Sequence, residues 1–365
     1  MTNTNQRPKR PLRVAAAQLG PIHLADSRES VLQRMFRLLD QASASRVQVV
    51  AFPELAFTTF FPRHLMDHTE LEAYFDLDDP QNGGLRQSPG IKPLFDHARD
   101  LGIDVYVGYA EKAPTGDGFG YYNSSVYYSA RSDRIVQKYR KVHLPGVVEP
   151  FKQPGATQQL EKRYFSNGDL GFPAFRAPGL LPNAAKTAAG PGEAIPLEGS
   201  GDAIFGMLIC NDRRWAEGWR SYGLQGAELV FCGYNTTAYA PQLLGTSEDI
   251  DRKTAEEEVL FHHKLSCQGN SYMNACFSVN VAKCGLEDGH SLISGTIIVH
   301  PNGHILAEAS TKEDELVIAN IDLGDCRRGK EKTFAFAKHR RPDQYRMITD
   351  YTGVVEPKML AADGI

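Results

Sequence analysis

The side chains with the clearest chemical potential lie in three short segments, far apart in the chain. They are Val49-Val50-Ala51-Phe52-Pro53-Glu54, Gln137-Lys138-Tyr139-Arg140-Lys141-Val142-His143 and Phe205-Gly206-Met207-Leu208-Ile209-Cys210-Asn211-Asp212. Each puts a reactive group, Glu54, Lys141 or Cys210, at or just after a β-like run. A carboxylate, an ammonium and a thiol are the parts that covalent hydrolysis of a carbon–nitrogen bond requires. The thiol attacks, the carboxylate moves protons, and the ammonium supports the negative charge that builds on the attacked centre. Cys210 stands where a strand gives way to a helix. Backbone N–H groups beginning with Asn211 would there face a developing oxyanion, and the helix N-terminus would favour the thiolate. Cys232 also ends an apolar run, but it lacks acidic and basic companions and reads as an ordinary buried thiol.

Taken singly, each of these residues has a plainer reading. A glutamate that ends an apolar strand is costly to bury unless it is paired, hydrogen-bonded or catalytic. Lys138 and Lys141 are an odd number of residues apart, so on an extended strand they face opposite sides, and periodicity does not choose between them. Arg213 and Arg214, just past Cys210, offer planar guanidinium forks suited to a carboxylate. Asn235 and Thr236 follow another apolar run and could hydrogen-bond a small polar substrate. The combination, in this order, carries the argument.

The elements that must position these groups alternate between strand and helix. Leu12 to Gln18 is β-like. Asp26 then reads as the N-cap of a helix whose Val31, Leu32, Met35, Leu38, Leu39 and Ala42 recur at helical spacing. Val47 to Phe52 fits a buried strand, Ile91 to Leu101 a helix stopped by Gly102, and Asp104 to Tyr109 a strand. Tyr122 to Tyr128 and Arg134 to Lys138 read as paired strands. The second half repeats the pattern: strand from Ala203 to Ile209, helix from Arg213 to Leu224, strand from Glu228 to Cys232. Glu256 to Met273 reads as a longer helix before a strand from Ala275 to Val281. Ile297 to Val299 and His304 to Ala307 flank Pro301-Asn302-Gly303, a hairpin signal, and Leu316 to Ile321 adds a strand. Such alternation implies an α/β fold with mixed sheets.

Composition sets the outer bounds. The chain has 365 residues, 42% hydrophobic and 23% charged, enough for a sizeable core. A net charge of −4 with scattered Lys and Arg argues against a nucleic-acid surface, and Lys338-His339-Arg340-Arg341 reads as a solvated or subunit-contact run. No apolar run is long enough to cross a membrane, and polar, basic Met1 to Pro11 has no secretory core and reads as a loose extension. The six cysteines show no Cys-x-x-Cys spacing, as expected of reduced thiols in a cytoplasmic protein with neither a zinc site nor a disulfide frame. The expected organisation is one domain over residues 12–350 with a C-terminal tail over 351–365. Pro-, Gly- and Ala-rich Ala177 to Gly201 reads as an exposed insertion, and charged Gln242 to Glu258 as a lid or a helix start.

The three segments resemble those of the nitrilase, or carbon–nitrogen hydrolase, superfamily, and more narrowly the N-carbamoyl-D-amino acid amidohydrolases. Similar stretches are Phe52-Pro53-Glu54-Leu55-Ala56, Thr58-Thr59-Phe60-Phe61-Pro62-Arg63 and Lys138-Tyr139-Arg140-Lys141-Val142-His143-Leu144-Pro145-Gly146. Others are Leu160-Glu161-Lys162-Arg163-Tyr164-Phe165, Gly168-Asp169-Leu170-Gly171-Phe172-Pro173, Ile209-Cys210-Asn211-Asp212-Arg213-Arg214-Trp215 and Gly233-Tyr234-Asn235-Thr236. The resemblance implies a four-layer α-β-β-α sandwich and a cysteine-dependent hydrolase of a small-molecule substrate, without metal or organic cofactor. It implies assembly into a homodimer or homotetramer. It assigns Lys141 rather than Lys138 to catalysis and adds Glu161 as a second acidic residue. His143, Asn211, Arg213, Arg214, Asn235 and Thr236 are the substrate-binding set it implies. Two positions depart from the pattern: Thr237 where proline is expected, and Gln159 where histidine is expected. The competing readings are another amide or nitrile hydrolase of the superfamily, or a binding protein that kept the fold without turnover. Intact Glu54, Lys141 and Cys210 argue against the second.

Overall fold

Strands buried on both faces form the middle of the molecule. The structure, a computed structural model, describes residues 9–153, 155–181, 201–241 and 250–359. Its first strands are β1 (Pro11–Gln18), β2 (Val49–Ala51), β3 (Asp76–Leu77), β4 (Asp104–Thr115), β5 (Gly118–Ser129) and β6 (Arg134–Arg140). Then come β7 (Phe175–Ala177), β8 (Ala203–Ile209), β9 (Leu229–Asn235), β10 (Phe277–Lys283), β11 (Gly285–Glu287) and β12 (His290–Leu292). The last are β13 (Ile297–Val299), β14 (Ile305–Glu308) and β15 (Glu315–Asp322). The longer helices are α1 (Arg28–Ala44), α2 (Lys92–Leu101), α3 (Ala216–Leu224) and α4 (Arg252–Asn274).

Among the described residues the strands make two large sheets. The first runs β15-β1-β2-β4-β5-β6, with β3 added on β4, and the second runs β14-β13-β10-β9-β8-β7. Pairing is parallel along β1-β2-β4 and β8-β9-β10. Every residue of β9 and β10 is buried, the pattern of parallel strands covered on both faces. The inner faces meet in one apolar core, Val14, Tyr106 and Tyr127 against Phe205, Phe231 and Val279. Tyr106 stacks on Phe231 with ring centroids 5.4 Å apart. Its hydroxyl donates to the Leu208 carbonyl at 2.9 Å and accepts from the Gly233 N–H at 3.1 Å, so a buried group that would cost about 1–3 kcal/mol unpaired instead ties the sheets together. Leu32, Met35 and Leu39 of α1 and Leu94 and Phe95 of α2 cover the outer face of the first sheet. Trp219 and Tyr222 of α3 pack on the second, and Ser271 of α4 bonds Ser278 of β10 at 2.8 Å. The result is the four-layer α-β-β-α sandwich.

Several local expectations are corrected. The apolar spacing of α1 holds, but its N-cap is Ser27, whose hydroxyl accepts from the Ser30 N–H, while Asp26 accepts from His23 instead. The helix expected from Arg213 begins only at Ala216. A 3-10 turn, Cys210–Arg214, precedes it, and Trp215 is extended. Strand β4 continues past Tyr109 into a tight hairpin with β5. Arg10 is buried, pairs with Glu228 and donates to the Gly201 carbonyl, and Pro11 opens β1, so the loose extension expected through Pro11 does not hold for these two residues; residues 1–8 lie outside the described residues. Ala177 closes β7, and Leu180 and Leu181 are buried rather than exposed. The rest of that expected insertion, 182–200, lies outside the described residues. Asp251 caps α4 by accepting from Thr254 at 2.9 Å, so the charged segment becomes a helix start from Arg252, with 242–249 outside the described residues. Residues 351–359 are exposed and carry no helix or strand, and 360–365 are outside the described residues. No helix among the described residues is long and apolar enough to cross a membrane.

Candidate active site

Glu54 lies in the loop after β2, wedged between the sheets by two missing side chains. A Cβ on Gly108 of β4 would stand 2.7 Å from Glu54 Cα, and one on Gly233 of β9 would stand 2.6 Å from the Glu54 nitrogen. Any larger residue at either position would push the loop out. Lys141, just past β6, donates its ammonium to Glu54 Oε1 at 2.7 Å and to Glu161 Oε2 at 2.6 Å, and all three side chains are buried. Lys138 turns the other way, to Asp78 and Glu111.

Neutral donors complete this centre. Asn123 of β5 gives its Nδ2 to Glu54 Oε1 at 2.8 Å and to Glu161 Oε2 at 3.2 Å. Gln159 donates to Glu161 Oε1 at 2.7 Å. Asn235, at the end of β9, directs its backbone N–H and side-chain Nδ2 at Glu54 Oε2 (2.9 and 3.2 Å), while its carbonyl accepts from the Cys210 thiol at 3.2 Å. Asn235 therefore links the carboxylate and the thiol directly.

Two carboxylates around one ammonium separate in acidity. Burial works to raise Glu54, but Lys141, Asn123 and Asn235 carry it below the usual carboxylate value. Glu161 is pushed up to about 7, by burial first and by the Glu54 charge, against the pull of Lys141. Burial works against the Lys141 ammonium, yet Glu161 and Glu54 hold its pKa above that of an ordinary lysine. The Cys210 thiol is raised by burial and then by Glu54, with Lys141 and Arg213 opposing. This corrects the expectation of a thiolate favoured by a helix N-terminus: the helix starts six residues later, and the cysteine sits among buried carboxylates.

Cys210 has φ +49°, in the left-handed region, so its backbone needs support. Arg213 supplies it. Fully buried, its guanidinium donates to the Cys210 carbonyl at 2.7 Å and to Thr236 Oγ1 at 2.9 Å, and stands 4.7 Å over the Tyr234 ring. The paired arginine clamp expected from the sequence thus divides, because successive side chains diverge by about 120° on a 3-10 turn. Arg214 is exposed, bonds Asn211 Oδ1 at 3.1 Å and lines a cleft of about 240 Å³ with Cys210, Asn211, Gln159, Asn235 and Thr236. Arg213 beside it is the main cause of its pKa falling to about 10. Thr237 also lines the cleft, its hydroxyl accepting from Arg63 at 3.3 Å. His143 does not line it: Asp212 holds its backbone N–H and Nδ1 at 2.9 and 2.7 Å, and its ring stacks on Trp215.

Three residues of this centre were not picked out as site residues from the sequence. Asn123 bridges the carboxylates, Gln159 reaches Glu161 from the cleft, and Asp212 accepts from Ile209, His143 and the Tyr139 hydroxyl. The one available signal for Asn123 was the polar run Asn123-Ser124-Ser125 inside a strand, all of it buried.

Residues 13–331 match the family profile of carbon-nitrogen hydrolase. The chain belongs to the carbon–nitrogen hydrolase family. It is 27% identical to an N-carbamoylputrescine amidase of Arabidopsis thaliana, over 87% of this chain and 89% of that one. It is 26% identical to a nitrilase of Pyrococcus abyssi, over 86% and 90%. A carbon-nitrogen hydrolase structure from Helicobacter pylori superposes with a TM-score of 0.69 at 19% identity, covering 93% of this hydrolase and 98% of that chain. That likeness concerns the fold, and it agrees with the layering described above. The hydrolase is therefore a cysteine-dependent enzyme of carbon–nitrogen bonds.

Proposed function

We propose that the hydrolase converts N-carbamoyl-D-amino acids to the free amino acid, ammonia and carbon dioxide. The observation that carries this reading is Arg214. It is a guanidinium on the cleft wall beside Cys210, with no carboxylate partner among the described residues. A ureido acid supplies the missing carboxylate one short chain away from the carbon to be attacked. A ureido amine carries a cation instead, which Arg214 would repel. The chemistry is thus shared with relatives named N-carbamoylputrescine amidase, while the charge of the substrate differs.

In this reading Cys210 attacks the carbamoyl carbon as Glu54 takes the thiol proton. Glu54 already accepts from Lys141, Asn123 and both nitrogen groups of Asn235, so one donor must yield. The Asn235 side-chain bond, at 3.2 Å, is the longest. Lys141 stabilises the oxyanion, and Glu54 returns the proton to the departing ammonia. Water, deprotonated by Glu54, then cleaves the thioester, and the carbamate released loses carbon dioxide. Glu161 holds Lys141 and shares its charge. The test is ammonia release from N-carbamoyl amino acids of both hands, a ureido amine, simple amides and nitriles. The highest kcat/KM on the D ureido acids is expected; faster turnover of the ureido amine would overturn the reading.

A further inference from the structure

Gln159 is half in the cleft and half in the buried charge centre. It lines the cleft with Cys210 and Arg214, and its Nε2 donates to Glu161 Oε1 at 2.7 Å. An ionised carboxylate only accepts, so this bond fixes which way the amide points. The nitrogen faces Glu161, and the side-chain carbonyl oxygen is left over. That oxygen accepts no hydrogen bond among the described residues, and it is not one of the sealed polar atoms without a partner. The backbone on either side cannot turn the residue away. Its carbonyl accepts from the Val147 N–H at 2.9 Å, and Gly146, whose Cβ would stand 2.1 Å from that carbonyl, packs directly against it.

We propose that the side-chain carbonyl of Gln159 accepts a hydrogen bond from the N–H of an amide or ureido group held in the cleft at Cys210, so that Gln159 selects substrates bearing that N–H. A ureido or carboxamide nitrogen offers such a donor, whereas a nitrile or an ester offers none. The inference rests on the cleft at Cys210 being the reaction site, and it deepens the proposed substrate class. It also gives the departure from histidine at this position a consequence. A glutamine cannot titrate, so acceptor and donor stay separated while Glu161 is ionised.

The test needs no turnover, which keeps it separate from the identity of the natural substrate. Alkylation of Cys210 is followed with iodoacetamide, which carries the N–H₂, and with iodoacetone, which matches its size and carries none. Both are run well above the pH at which Glu161 titrates, in wild type, Gln159→Met and Gln159→Glu. One neutral hydrogen bond corresponds to a rate ratio of roughly 2–10-fold, so the preference for iodoacetamide over iodoacetone should shrink by that factor in Gln159→Met. Gln159→Glu keeps an acceptor and should retain the preference even if both rates fall. Thermal unfolding of each variant controls for folding. An unchanged ratio in a folded Gln159→Met would overturn the proposal. Failure of ureido acids as substrates, with the ratio shifted as expected, would leave it standing and remove only the proposed function.

Discussion

Replacing Arg214 by alanine separates recognition from chemistry, because Arg214 has little else to do. Among the described residues its one hydrogen bond goes to Asn211 Oδ1, which is itself at the cleft and open to water. Its removal orphans no buried group. If it grips a carboxylate, one charge-assisted hydrogen bond of about 1.5–3 kcal/mol is lost, roughly 10–150-fold in kcat/KM. That loss should fall on a ureido acid and largely spare its carboxamide counterpart, which lacks the charge. Arg213→Ala should behave differently. It leaves the Cys210 carbonyl and the Thr236 hydroxyl without their donor and removes the support under a cysteine at φ +49°. Both substrates should then lose about 10²-fold or more, since two buried bonds at 1–3 kcal/mol each are broken. The assay is kcat/KM for the matched acid and carboxamide in wild type, Arg214→Ala, Arg214→Lys and Arg213→Ala. Lysine at 214 should restore only part of the acid rate, because a point charge lacks the bidentate fork. Equal losses on acid and carboxamide in Arg214→Ala would refute the argument.

Three further outcomes follow from the buried charges. Lys141→Ala leaves Glu54 and Glu161 with no ion-pair partner among the described residues, and should cost about 3–5 kcal/mol in chemical denaturation besides abolishing ammonia release. Lys138→Ala should cost far less, since Arg140 still pairs with Glu111; similar losses at 138 and 141 would contradict the geometry. Among the six buried cysteines, native-state alkylation should mark Cys210, which lines the cleft, and the rate should keep rising past pH 9 because its thiol is raised; a plateau near neutrality would show a thiolate instead. Glu161, raised from 4.5 to about 7, binds its proton more tightly in the fold than when unfolded, so its contribution to stability is present below pH 4.5 and is lost as pH climbs through about 7. Glu54, lowered, has its window below 4.5 and does not overlap. Denaturation midpoints between pH 5 and 8 should therefore fall more steeply in wild type than in Glu161→Gln, and parallel profiles would sink this reading.

The layers of this fold were legible because each is written in a local period. The spacing of Val31, Leu32, Met35, Leu38, Leu39 and Ala42 is the buried stripe of α1, and the apolar runs of the second half became the central strands β8, β9 and β10. Chain ends and caps were less legible, since Ser27 and Asp26 are both good capping residues and only the turn geometry decides between them. Within the site, residue type indicated which groups could react, but not how the fold divides similar groups between tasks. Arg213 and Arg214 share a side chain and a neighbour, yet a tight turn sends one under the cysteine and the other into the cleft. Glu54 and Glu161 share one ammonium and one asparagine, and their acidities still move in opposite directions. Burial and the Glu54 charge raise Glu161, and the remaining donors differ as well: Asn235 gives Glu54 two, one from its backbone, whereas Glu161 has the single amide of Gln159. Each extra donor stabilises the charged form. Glu54 stays ionised and suited to take a proton, whereas Glu161 titrates near neutrality. Those donors come from β9 and from the loop before Glu161, distant in sequence from Glu54 and Lys141. No local pattern around Glu54 could have shown how it is held, since Asn235 stands 181 residues away, whereas the donor to Glu161 is only two residues before it.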